Sequence, residues 1–307
     1  MPGAALATLA IAGLCFALIQ ASAGLTPAVI AAAALSLTAA GAFAAVERRS
    51  SHPMLPLELF SSRQFASATV LALVTYAALG GVIFLFVAFL QISLGYTPLQ
   101  AGAATLPITL LLLILSGPSG AIAQRIGPRI PLTAGAVLAG AGLLLMARIH
   151  PGDSYFAAVL PSLAVFGAGL AALITPITAT VLASVDARHS GIASAVNNAL
   201  SRLGQMIAVA ALPLAAGLSG TDFEDPAKLA AGFPVAMTIA AGASFAAALL
   251  AWTTIRDDAL SRPATDTTPV AKQLPPTVQR HCAVAGTPLA TSPHPPPRSH
   301  PPTAKES

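Results

Sequence analysis

Eight runs of mostly apolar residues, each close to the length that crosses a bilayer, succeed one another along the chain, and none contains an aspartate or glutamate. Within a few residues at each end they cover 4–20, 28–46, 66–90, 101–123, 131–148, 158–183, 191–216 and 230–254. A helix needs about 20 such residues to span the hydrocarbon core. The acids Glu47, Glu58, Asp153, Asp186, Asp222, Glu224 and Asp225 fall between the runs and so mark their boundaries independently. Hydrophobic residues make up 55% of the 307, and the mean hydropathy is +0.78, more apolar surface than a soluble core of this size buries. The expected fold is an all-α membrane protein of about eight transmembrane helices. Lipid-facing β-strands would alternate with period two, and no such alternation is present. Abundant Ala and Gly suit close packing of helices.

The basic residues give an orientation, because Lys and Arg of short loops stay on the cytoplasmic side. Arg48, Arg49 and Arg63 follow the second run, Arg125 and Arg129 the fourth, Arg188 the sixth and Arg256 the eighth, whereas the alternate loops hold only Arg148 and Lys228. An integral membrane protein with both termini in the cytoplasm, in the plasma membrane, is expected. An Ala-Ser-Ala within residues 17–24 has the look of a signal-peptidase site, but residues 1–5 offer no Lys or Arg for the basic region of a signal peptide. A retained first helix is therefore expected.

Beyond Trp252 the composition changes. Residues 257–307 hold eleven of the 26 prolines and no long apolar run, so residues 255–307 read as a disordered Pro-rich tail. The spacing of His281, Cys282, His294 and His300 matches no common metal site. With Cys15 and Cys282 far apart, no disulfide framework is indicated either. No metal, cofactor or nucleic-acid partner is expected. The H-E-x-x-H and G-x-S-x-G motifs of hydrolytic enzymes are missing, which argues against an enzyme.

Gly120, Ile122, Arg125, Gly127 and Arg129 follow the spacing G-x-[L/I]-x-x-R-x-G-x-[R/K]. This resembles the cytoplasmic loop motif that the major facilitator superfamily places between the second and third helices of each half. Gln124 stands where that family prefers Asp, and Pro128 where a basic residue is common. Residues 95–118, "GYTPLQAGAATLPITLLLLILSGP", resemble a helix entry of the fourteen-helix drug:proton antiporter branch, with Pro98, Gly102, Pro107 and Pro118. Residues 190–211, with Gly191, Asn197, Arg202 and Gly204, resemble its penultimate helix, and "VERRSSHPMLPLELF" at 46–60 resembles the link after its extra helix pair. The resemblance implies residues 1–46 as the extra pair, 47–65 as a cytoplasmic link and 66–254 as the C-terminal six-helix bundle. It further implies proton-coupled efflux of drugs or other lipophilic small molecules in a full-length form, with the lipid bilayer and a further N-terminal bundle as partners. A non-transporting membrane scaffold or a truncated gene product is the alternative. Since no run contains Asp, Glu or His, the chain alone is not expected to couple efflux to protons.

The polar residues of the seventh run are the main chemical signal. Ser194, Asn198, Ser201 and Gln205 recur at four, three and four residues, which places them on one stripe of a helix, flanked by Asn197 and Arg202. Such a stripe must face protein or water. It is read either as a cavity wall meeting substrate or as hydrogen bonding between helices. Arg202 lies near mid-membrane if the helix starts near Gly191, and at the interface if it starts near Leu200. On the third run Tyr76, Phe84, Phe86 and Phe89, with Gln91 at the outer end, offer aromatic faces suited to lipophilic substrates. Tyr76, Gln91, Asn197, Asn198, Ser201, Arg202 and Gln205 are the substrate-cavity candidates; Gly120, Gln124, Arg125, Gly127 and Arg129 are the loop motif. Gly127 permits the tight turn, and the arginines are expected to reach helix-end carbonyls or acids of a neighbouring helix and so latch one conformation.

Overall fold

The structure, a computed structural model, describes residues 2–21, 24, 26–50, 62–186 and 189–257. The tail beyond Asp257, Arg188 and most of the connection after the second helix lie outside the described residues. The helices are α1 (Pro2–Ala21), α2 (Pro27–Arg49), α3 (Arg63–Ile92), α4 (Pro98–Ala104), α5 (Leu106–Ile126), α6 (Arg129–Met146), α7 (Leu160–Ala183), α8 (Ser190–Ala215) and α9 (Pro226–Thr254). A π-helical turn, Tyr155–Val159, leads into α7, and a 3-10 turn, Gly220–Glu224, precedes α9. No strand occurs among the described residues.

Starts are set by residues that satisfy the free N–H groups of a first turn. Thr26 and Ser62 accept from the backbones of Val29 and Phe65. Thr97 and Gln100 form a reciprocal capping box, and Asp225 accepts from Ala227 and Lys228. The fourth run, expected as one helix, is interrupted at Thr105. Pro107 has no N–H to donate, the Ile108 N–H bonds to Thr105 instead of Ala104, and the Tyr155 hydroxyl donates to the freed Ala104 carbonyl at 3.2 Å.

Among the described residues seven stretches are long and apolar enough to cross a membrane, α4 and α5 together counting as one and the Tyr155–Val159 turn with α7 as another. The remaining helix, α8, has 26 residues and so the length, but Ser190, Ser194, Asn197, Asn198, Ser201, Arg202 and Gln205 keep it below that apolarity. Eight spans were expected; the one that falls short is the helix with the polar stripe.

The core lies where α3, α6, α7 and α9 meet. Phe86 and Phe89 pack on Phe233, the latter pair stacked with ring centroids 4.1 Å apart. Helices α6 and α7 touch backbone to backbone, as small-residue packing in lipid requires: a Cβ on Gly169 would fall 2.4 Å from the Ala139 nitrogen. Helices α1 and α2 form a hairpin joined by a 2.6 Å bond from Ser36 Oγ to the Ala10 carbonyl, and α1 packs along α8.

Candidate functional site

Helix α8 runs beside α3 at glycine-permitted distance. A Cβ on Gly204 would lie 2.8 Å from the Leu73 carbonyl oxygen, and one on Gly80 would lie 2.7 Å from Gln205 Cβ. This contact turns Ala193, Asn197, Ser201 and Gly204 inward, while Asn198 and Arg202 are exposed. The polar residues therefore divide between two faces. The hydroxyl of Ser201 donates to the Asn197 carbonyl at 2.6 Å, and the Asn198 amide donates to the Ser194 carbonyl at 3.1 Å. Both bonds stay within α8. Asn197 is 6% exposed, and its Oδ1 finds no partner among the described residues. Helix α8 begins at Ser190, so Arg202 sits twelve residues in, about 18 Å along the axis at 1.5 Å per residue. The helix thus starts near Gly191 and not near Leu200, which puts Arg202 at mid-helix.

C-terminal to this polar half, a cavity of about 580 Å³ opens between α1, α3 and α8. Gln205, Met206, Val209 and Pro213 form its α8 wall; Phe84 and Gly80 face them from α3, and Cys15 and Ile19 from α1. The Cys15 thiol donates to the Met206 thioether at 3.8 Å, and the Phe84 ring lies 6.2 Å from that of Phe223. Gln205 is the polar side chain in an otherwise apolar lining. The volume falls within the range of about 300–1,000 Å³ typical of small-molecule sites.

Of the residues singled out in the sequence, only Gln205 and Phe84 line this cavity. Tyr76 is partly buried against the core, Gln91 lies in the last turn of α3, and Phe86 and Phe89 are core residues. Asn198 and Arg202 lie on the same face of α8 but outside the lining, since 198, 202, 205, 209 and 213 recur at helical spacing. Met206, Val209 and Pro213 carry no polar signal in the sequence, although the helical spacing of the stripe continues through them. The α1 residues had no local signal.

The loop motif builds a second cluster at the opposite end of the bundle's chemistry. Gly127 has φ +87° and ψ 161°, a conformation almost reserved for glycine, and a Cβ there would meet the Asp257 carboxylate at 2.5 Å. The Arg129 backbone N–H donates to that carboxylate at 3.3 Å, and the Arg129 guanidinium lies 4.1 Å over the Trp252 ring. The Arg256 N–H donates to Gln64 Oε1 at 3.1 Å, tying the end of α9 to the start of α3. Gly120 packs on Thr175, whereas Gln124 and Arg125 are exposed. The acid at this junction thus meets the motif through a backbone N–H and not through either guanidinium. Trp252 and Asp257 lie more than a hundred residues from the motif, and nothing in its spacing pointed to them.

Among the described residues no group of three His, Cys, Asp or Glu side chains is placed to hold a metal ion. The family model described as Major Facilitator Superfamily matches residues 2–209 and, in an overlapping alignment, residues 68–293. The multidrug resistance protein Stp of Mycobacterium tuberculosis is 37% identical over 181 residues, 58% of this chain and 33% of its own length. The methylenomycin A resistance protein of Streptomyces coelicolor is 32% identical over 69% of this chain and 45% of its own length. The puromycin resistance protein pur8 of Streptomyces alboniger is 29% identical over 83% of this chain and 53% of its own length. The chain therefore spans between a third and about half of these relatives.

Proposed function

The chain belongs to the major facilitator superfamily, and from that premise we propose that it forms the cavity-bearing part of a proton-coupled exporter of lipophilic small molecules. The observation that carries this reading is the apolar cavity between α1, α3 and α8 with the single amide of Gln205 in its wall. A membrane-embedded pocket with few polar groups accepts molecules that already partition into lipid, and the polar groups set their orientation. The names of the relatives, which speak of multidrug, methylenomycin A and puromycin resistance, support a xenobiotic cargo.

In this reading residues 1–46 are an accessory helix pair and residues 66–254 one rocking bundle, and a second bundle faces the exposed Asn198 and Arg202 across the central path. Both termini and the loop motif face the cytoplasm, as the arginine distribution favours. The proton-titrating group belongs to the opposing bundle, because the interiors of the described spans carry no acid or histidine; Glu47 stands in the last turn of α2.

Everted membrane vesicles test the proposal. Vesicles holding the chain together with a family N-terminal bundle should accumulate puromycin or a lipophilic dye in an uncoupler-sensitive manner, and Gln205→Leu should cut the initial rate about tenfold, the factor that about 1.4 kcal/mol of lost interaction carries. Vesicles with the chain alone should show no gradient-dependent uptake. Absence of uptake in both preparations would overturn the reading in favour of a non-transporting membrane protein.

A further inference from the structure

We propose that the α1–α3–α8 cavity selects uncharged lipophiles that carry a hydrogen-bond donor and acceptor side by side, such as an amide or a lactam, with the Gln205 amide recognising that pair. The inference rests on the cavity being a ligand site, as proposed above, and adds the polar group that the site recognises. An apolar molecule leaving lipid for an apolar wall gains little from the hydrophobic effect, because lipid tails are as apolar as the wall. Discrimination among lipophiles therefore falls to the polar groups that line the cavity. No lining residue carries a charge. The Cys15 thiol already donates to the Met206 thioether, which leaves Gln205 as the strong hydrogen-bonding side chain of the wall. Arg202, three residues before it on α8, is outside the lining, and helical side chains lean toward the N-terminus, which carries the guanidinium away from the cavity. Asp222, Glu224 and Asp225 of the α8–α9 connection are outside the lining as well.

The α3 backbone places the Gln205 side chain. A Cβ on Gly80 would lie 2.7 Å from Gln205 Cβ and 2.8 Å from its Cγ, so the stem of Gln205 rests against bare backbone and the amide is its free end. Among the described residues that amide has no hydrogen-bond partner, and neither of its polar atoms is closed off from open space. An amide presents an N–H donor and a C=O acceptor next to each other. A second amide turned to face it closes two bonds at once. A ligand with an acceptor alone closes one bond and leaves the other partner unpaired in apolar surroundings, which is costly. A site that hydrogen-bonds its ligand in this way separates ligands more sharply than an apolar wall separates them by size. An ion fares worse, because a wall without counter-charge returns none of the solvation that an ammonium or a sulfonate gives up. The Phe84 and Phe223 rings, 6.2 Å apart and tilted, offer a cation an aromatic face, but a ring face replaces only a small part of the lost hydration.

The test uses the full chain in phosphatidylcholine nanodiscs, with Phe84→Trp as a fluorescent reporter in the cavity wall and the parent chain, whose one tryptophan is Trp252, as background. Four quenchers share an undecyl chain brominated at its end: the primary amide, the methyl ester, the trimethylammonium and the sulfonate. Midpoints are taken as mole fractions in the lipid, so that unequal partitioning does not enter. The expected result is saturable quenching by the amide at a mole fraction about tenfold or more below those of the other three. Gln205→Leu should bring the amide level with the ester, and Arg202→Gln should move none of the four midpoints. Saturable quenching by the ester shows that Gln205→Leu keeps the cavity. Gln205→Glu, of nearly the same shape, should on the alkaline side bring the trimethylammonium ahead of the amide, because the wall then holds a counter-charge. An ion level with or ahead of the amide in the parent wall, an amide preference that survives Gln205→Leu, a Gln205→Glu wall that still favours the amide, or no saturable quenching by any of the four would overturn the inference. An ion preference with intact efflux removes this inference alone; an amide preference without efflux in either vesicle preparation removes the transport reading alone.

Discussion

The α5–α6 junction and the region where α8 meets α3 are made of the same ingredients, an arginine, aromatic rings and a glycine that lets two segments approach, yet they come out as opposites. At the junction Gly127 admits the Asp257 carboxylate, Arg129 lies flat on Trp252, and the end of α9 is fastened to the start of α3. In the cavity region Gly80 and Gly204 bring α8 onto α3, but beyond that contact α8 and α3 leave room between them and α1, and Arg202, on α8 before the lining residues, stays exposed. A charge closed in by a neighbouring acid and ring holds helices together. A charge left exposed on a helix face holds nothing together within the bundle.

The largest effect is expected where the closed region depends on backbone geometry. Gly127→Ala should destabilise the protein by about 2–3 kcal/mol, since an alanine at this φ and ψ is strained and its Cβ displaces Asp257. Gly191→Ala, in the first turn of α8 with nothing near its added Cβ, should be neutral or stabilise by about 0.5–1 kcal/mol. Thermal unfolding in detergent compares the two; similar shifts would erase the contrast between a fastened and an open region.

A smaller difference separates the arginines. The pair Arg129→Gln and Trp252→Leu should show a coupling of about 0.5–2 kcal/mol in a double-mutant cycle, as expected for a guanidinium stacked on an indole. Arg202→Gln should leave stability within about 0.5 kcal/mol of the parent, as for an exposed group without partners. A large loss from Arg202→Gln would place that side chain among the structural residues.

Much of this contrast was legible in part. The spans could be read from run length and the exclusion of acids, because both follow from lipid acting as solvent. The break at Thr105 could not, since it depends on the Tyr155 hydroxyl reaching Ala104 from fifty residues away. The polar half of the α8 wall showed in its spacing, whereas Met206 and Val209 look like any lipid-facing residues until α1 is set against them. The loop motif was visible, but its partners Trp252 and Asp257 come from another helix end.

The smallest effect belongs to the α8–α9 connection. The Lys228 ammonium, hydrogen-bonded to Asp222, holds that carboxyl below its ordinary pKa. A carboxyl whose folded pKa is depressed contributes stability above its unfolded pKa, and that contribution is lost as pH falls through the folded value. Acidification below the ordinary carboxylate range should therefore loosen this connection slightly. Limited proteolysis near residue 220 should increase on the acid side in the parent and lose that dependence in Asp222→Asn.

Most direct is the question of whether the polar half of α8 meets water or lipid. In sealed vesicles Asn198→Cys and Leu113→Cys, each in a Cys15→Ala, Cys282→Ala background, compare two exposed positions, the first on the α8 stripe and the second, 77% exposed, on the apolar face of α5. With a small water-soluble maleimide supplied to both sides, the cysteine at 198 should react at least tenfold faster than that at 113, because a substrate path is hydrated and a lipid face is not. Equal, slow reaction at both positions would contradict a cavity wall on α8 and leave its polar residues as contacts within the membrane.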